Sequence, residues 1–133
     1  MAALDTNVLV RWLVNDDARQ SAAVLALLDT QCGQGQLLFV PITVVLETEW
    51  VLRSRYGFDR LSITAAFDAL LCTAELEFQH EAALEQALWF FRRTGAPDFA
   101  DCLHAALVGE AVQGPLLTFD KKAAKIDGVS LLA

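Results

Sequence analysis

The chain has 133 residues, 55% of them hydrophobic, and a formal net charge of -7. That length suits a single domain burying about two thirds of its unfolded surface without metal or disulfide staples, and the apolar excess points to a homo-oligomer or a stable partner. The acidic balance excludes a broad basic face for nucleic acid but not a nuclease, because divalent cations bound by clustered carboxylates reverse the local sign. Cys32, Cys72 and Cys102 stand in no metal-ligand spacing, and their odd number fits a reducing compartment. No leader-like N-terminus and no uncharged stretch of about 18 residues that could span a bilayer is present, so a soluble cytoplasmic protein is expected, with no membrane contact.

The first element is the run Ala2-Ala3-Leu4, read as a buried strand that delivers Asp5 at its tip. In open α/β sheets, ligands bind at such strand ends. Val8 to Val14 continues apolar around Arg11 and Trp12 until Asn15-Asp16-Asp17 breaks it. Ala22, Leu25 and Leu28 recur at helical spacing over residues 18–29, with Asp16 or Asp17 as the cap. Leu37 to Val40 reads as a second strand, closed by Pro41. A helix follows from Ile42 to Tyr56, stopped by Gly57, and another covers Ser62 to Thr73 with Ser62 as its cap.

Glu75 to Gln79 alternates charged and apolar residues and predicts a strand. His80 to Thr94 is helical, Gly95-Ala96-Pro97 stops it, and Asp98 opens a helix to about Val112. Pro115 to Phe119 and Val129 to Leu132 complete the strands. Strands alternating with helices over short loops predict an α/β fold: a central parallel sheet with helices on both faces, a Rossmann-like three-layer sandwich.

The acids carry the chemistry, and each has a plainer reading beside it. Asp5 can cap the helix after it. Glu47 shares a helical face with Val44, Thr48 and Val51, where an unpaired carboxylate is costly; the plainer reading puts it on a solvated face. Glu49 is the control, because Arg53 lies four residues on, in the favourable order for a helical ion pair. Asp98 and Asp101 have the spacing of a capping box, but the helix behind them is apolar nearly all round, so its acidic N-terminus points from the core. Asp120 ends a strand as Asp5 does, or caps a helix beginning at Lys121. His104 is expected to be a buried, hydrogen-bonded histidine, and no Cys-His spacing or glycine-rich phosphate loop is present.

An all-carboxylate cluster suits Mg²⁺ or Mn²⁺ together with phosphate oxygens, which points to phosphodiester hydrolysis without a nucleophilic side chain. Four fragments, Leu4-Asp5-Thr6-Asn7-Val8-Leu9, Leu46-Glu47 through Trp50-Val51-Leu52, Asp98-Phe99-Ala100-Asp101 before His104-Ala105-Ala106, and Leu117-Thr118-Phe119-Asp120, together resemble the PIN-domain ribonucleases, and within them the VapC toxins of bacterial toxin–antitoxin pairs. The resemblance covers nearly the whole chain, residues 1–133, as one PIN-like domain. It implies Mg²⁺- or Mn²⁺-dependent endoribonuclease activity, a homodimer and a cognate VapB-type antitoxin. Asp5, Glu47 and Asp101 match the family's acidic triad, Asp120 its frequent fourth acid, and Asp98 an extra acid of one branch. Asn7 and Thr118 match polar residues that orient the acids. Arg92-Arg93 and Lys121-Lys122 flank the acidic segments in sequence and are the candidates for holding RNA phosphates, against a reading of plain solubility.

Two other functions compete. A receiver-like phosphoacceptor domain also gathers acids and Mg²⁺ at strand ends, but here Asp16-Asp17 lies too far past the first strand, and Glu47 falls on a helix. A catalytically silent PIN-like binding module would have no need of a complete acid set.

Overall fold

Asp5 ends the first extended segment and starts the first helix, in a computed structural model that describes residues 1–133. The chain forms two units, Met1–Gln79 and His80–Ala133.

In the first unit, the expected opening strand reduces to one parallel bridge between Ala3 and Phe39. The Leu4 N–H donates to the Phe39 carbonyl and the Phe39 N–H to that of Ala2, each at 2.8 Å. Leu4 is buried while Ala2 and Ala3 are exposed, because two alanines offer little apolar area to draw a longer strand inward. The elements that follow are α1 (Thr6–Leu13), α2 (Ala18–Gly33), β1 (Leu38–Val40), α3 (Ile42–Tyr56), α4 (Arg60–Leu71) and β2 (Leu76–Phe78).

The caps explain the boundaries. Asp17 accepts from the Gln20 N–H at 3.0 Å and starts α2. Asp59, not Ser62, caps α4: its carboxylate accepts from the Ser62 N–H at 2.8 Å, so the helix begins ahead of the serine. Gly57 closes α3 at φ 66, the left-handed region in which a side chain would be strained. β1 and β2 pair in parallel, with Leu38 opposite Leu76 and Val40 opposite Phe78. All four are buried, and Glu77 between them is exposed, the alternation expected of a strand. Helix α1 packs on α2 and α3 over Leu9, Val45 and Leu52, while α4 sets Ile63 and Phe67 in the same core.

The second unit comprises α5 (Glu81–Phe91), α6 (Phe99–Glu110), β3 (Leu116–Thr118), a 3₁₀ turn at Ala123–Lys125 and β4 (Val129–Leu131). α5 lays its buried stripe of Ala83, Leu84, Ala87, Leu88 and Phe91 against Phe99, Cys102, Leu103 and Ala106 of α6. The Phe91 and Phe99 rings meet edge to face at 5.5 Å. His80 caps α5 from a left-handed conformation, and its imidazole pairs with Glu110 at the far end of α6, as an antiparallel helical hairpin requires. β3 and β4 pair in parallel, with Leu116 opposite Val129.

Every strand pairing is therefore parallel, as the alternation of elements predicts, and the strands form two two-stranded sheets, one in each unit. No helix is long and apolar enough to cross a membrane.

Candidate functional site

In Met1–Gln79 the two candidate acids are held by backbone and hydroxyl donors. Asp5 does cap α1: its carboxylate accepts from the Thr6 N–H at 2.8 Å, and its carbonyl accepts from Val8 and Leu9 at 3.1 and 3.2 Å. Its side chain is nevertheless exposed, so capping and ligand binding do not exclude each other. Glu47 accepts a hydrogen bond from the Thr6 hydroxyl. Thr6 is buried, which fixes that hydroxyl and, through it, the orientation of the Glu47 carboxylate.

The sequence reading missed Thr6 and named its neighbour Asn7 for this work. Asn7 is exposed and instead lines a cleft between α1 and α2. A signal was present, since a threonine directly behind the strand-end aspartate has its hydroxyl within reach of whatever that turn packs against.

The face assigned to α3 also needs correcting. Glu47 was expected to interrupt the apolar stripe, but the helix buries Val45, Thr48, Glu49 and Leu52, and Glu47 is exposed. The buried side is rotated by one position from the one inferred, because Leu52 and Val45 offer as good a stripe as Val44 and Val51. The buried carboxylate is Glu49, 3% exposed, and the expected ion pair serves it: Arg53 Nε donates to Glu49 Oε2 at 3.0 Å.

In His80–Ala133 the arrangement differs. Asp98 is the N-cap residue of α6, yet its side chain makes no capping hydrogen bond, so the capping-box account of Asp98 and Asp101 does not hold. Asp101 lies in the first turn of that helix, partly buried. Burial pushes its carboxyl above the usual range, and the charges of Asp120 and Asp98 push the same way, with His104 opposing them. His104 itself is exposed, contrary to the buried histidine expected, because α6 turns Cys102, Leu103 and Ala106 inward and leaves position 104 facing water.

Asp120 does cap the 3₁₀ turn, accepting from the Lys122 N–H at 2.8 Å and the Ala123 N–H at 3.4 Å. The Thr118 hydroxyl accepts from the Asp120 N–H at 3.0 Å, so Thr118 does steady the segment that carries an acid. The charges of Asp120 and Asp98 thus add to burial in raising the Asp101 carboxyl.

Nowhere in the chain are three or more Asp, Glu, His or Cys side chains drawn into a ready-made metal cage. The donor set nonetheless fits a hard cation. Mg²⁺ binds through one or two carboxylates and keeps several waters, and a divalent charge would offset the repulsion that Asp120 and Asp98 add to the burial of Asp101.

Among the basic residues, Arg11 is occupied: it bonds Asp16, Gln20 at 2.6 Å and the Tyr56 hydroxyl at 2.9 Å. Lys121 and Lys122 are exposed directly after Asp120. Arg92 donates from Nε to the Leu88 carbonyl at 3.2 Å, while Arg93 lies over the Trp89 ring.

A sequence profile of the PIN domain matches residues 2–129, a span containing every acid discussed above. Among solved structures, the Mycobacterium tuberculosis VapC20 toxin, described as cleaving the sarcin-ricin loop, is similar over 94% of each chain at 18% identity and a TM-score of 0.43. No curated protein sequence matches the chain.

Proposed function

This chain belongs to the PIN-domain family, and from that premise we propose that it is a Mg²⁺- or Mn²⁺-dependent endoribonuclease, the toxin of a VapBC-type pair, acting as one nuclease domain. Asp5, Glu47, Asp101 and Asp120 serve the reaction, with Asp98 as a further ligand. The observation that carries this reading is the PIN-domain match over residues 2–129, which spans all five acids; beside it, burial raises the Asp101 carboxyl at the start of α6 and the charges of Asp120 and Asp98 add to it. A structural role gives no reason to concentrate like charges there, and functional sites are where such perturbed groups gather.

When bound, the metal supplies positive charge that stabilises a phosphodiester under attack and eases deprotonation of the attacking water. The chain's own residues do the rest. Thr6 holds Glu47 in one rotamer through its buried hydroxyl, and the α1 cap fixes Asp5. Thr118 steadies the turn of Asp120, and Lys121 and Lys122 beside it are placed to bind phosphate oxygens.

The partner side of the proposal, a VapB-type antitoxin and a homodimer, is supported by unpartnered apolar surface. A cleft of about 310 Å³ between α1 and α2 is lined by Val8, Ala23, Val24 and Leu27, the kind of groove an amphipathic helix fills. Trp50 and Leu61 are also largely exposed.

The test is purified protein on end-labelled RNA with Mn²⁺ and with chelator. Cutting that needs the metal and disappears in Asp5→Asn supports the proposal. Cutting unchanged by Asp5→Asn exposes a contaminant, and no cutting under any condition favours a catalytically silent binding module.

A further inference from the structure

The end of α5 carries a feature that the acids do not account for. Trp89 is 51% exposed, and the Arg93 guanidinium carbon lies 3.5 Å from the centroid of its ring. Phe90 completes the group, its ring 5.0 Å from Trp89 and nearly perpendicular to it, with Arg93 5.5 Å away.

Two ordinary explanations fail. An arginine at a helix C-terminus usually serves the last carbonyls and the helix dipole. Arg92 does that here, through Nε to the Leu88 carbonyl at 3.2 Å. A solvating arginine would extend into water, whereas the Arg93 guanidinium carbon sits over the Trp89 ring. No ion pair and no side-chain hydrogen bond engages Arg93, so its donors are open.

We propose that Trp89 and Arg93 form a stacking platform for an unpaired RNA base, with the Arg93 edge taking the adjoining phosphate. This inference rests on the ribonuclease reading and deepens it by naming single-stranded or looped-out RNA as what this surface holds. An unstacked nucleotide offers both required parts: a flat base for the ring or the guanidinium plane, and an anionic oxygen for the free donors. A protein partner can also supply acceptors to these donors, so a second copy of the chain is kept as an outcome of the test. The platform is also close to the chemistry along the chain. The Ala96 N–H donates to the Arg93 carbonyl at 3.1 Å, closing the turn that leads into Asp98 and α6.

The experiment measures binding of a fluorescein-labelled adenosine oligonucleotide of about 12 nucleotides by anisotropy, in chelator so that nothing is cut. A sugar-phosphate strand of equal length without bases is measured alongside. Trp89→Ala is expected to weaken adenosine binding about tenfold and to leave the abasic strand within about twofold. Arg93→Lys, which keeps the charge and loses the plane, is expected to weaken adenosine binding about threefold. Both side chains are at the surface, and thermal melts of each variant confirm folding.

Equal adenosine binding by wild type and Trp89→Ala overturns the platform. If wild type still cuts RNA in Mn²⁺, the ribonuclease reading survives that loss. A wild type that neither binds nor cuts RNA overturns both. Equal weakening on the two strands reduces the site to charge alone and also overturns stacking. Unchanged RNA binding with a shift in sedimentation on Trp89→Ala assigns the surface to a second copy of the chain instead.

Discussion

Two candidate acids of the second unit differ from those of the first. In residues 1–79, Asp5 has the Thr6 N–H, Glu47 the Thr6 hydroxyl and Glu49 the Arg53 guanidinium, as Asp120 of the second unit has the Lys122 N–H. In residues 80–133, Asp98 caps α6 without a side-chain bond, and Asp101 is pushed toward neutrality by burial and by two neighbouring acids. Local hydrogen bonds fix orientation at little cost in stability, whereas crowded charge stores a strain that a bound cation relieves.

The largest effect expected from breaking this contrast is on activity. Asp101→Asn should lower Mn²⁺-dependent RNA cutting by about 100-fold or more, a loss typical of removing a group that stabilises developing charge. The same variant should melt higher than wild type in chelator at neutral pH, because the partly buried charge is gone. A lower melting temperature would mean that Asp101 is a structural acid.

The next effect separates the two glutamates of α3. Glu49→Gln, in the buried pair, should cost about 1–3 kcal/mol in denaturant melts, discounted because Arg53 is half-exposed, while specific activity of the folded fraction stays near wild type. Glu47→Gln should change stability by less than about 0.5 kcal/mol and lower cutting by about 10-fold or more.

The pH dependence has a definite sign. The folded-state pKa of Asp101 is raised above its ordinary value of 3.8, so the native state binds more protons than the unfolded chain in the interval between the two values. Stability from this group therefore falls as pH rises through that interval and recovers on acidification. In chelator, the melting-temperature gap between Asp101→Asn and wild type should widen as pH rises above the ordinary carboxyl value of 3.8, and Mn²⁺ should close it. A gap that narrows with rising pH would reverse the assignment. The smallest effect expected is from Thr118→Val, which removes the acceptor for the Asp120 N–H: about 0.5–1 kcal/mol in stability and a few-fold in cutting.

Most element positions were legible because their signals are local. Gly57 ends α3 where a left-handed residue is needed, Asp17 caps α2, and the alternation around Glu77 marks β2. What escaped depends on contacts distant in sequence or on a choice between equal patterns. Two candidate stripes on α3 differ by one position, and only packing against α1 selects the one that exposes Glu47 and buries Glu49. Thr6 bonds a residue 41 positions away. Asp59 displaced Ser62 as a cap because either residue satisfies the local rule, and the carboxylate reaches the open N–H. Within the candidate site, the acids could be named from their positions, but which were paired and which crowded could not.

The central claim is that acids of both units serve one metal-dependent reaction, and calorimetric titration of Mn²⁺ into wild type, Asp5→Asn and Asp101→Asn tests it most directly. The account predicts binding to wild type and its loss in both variants, although the two residues belong to different units. Wild-type affinity in Asp5→Asn, with binding lost only in Asp101→Asn, would contradict it.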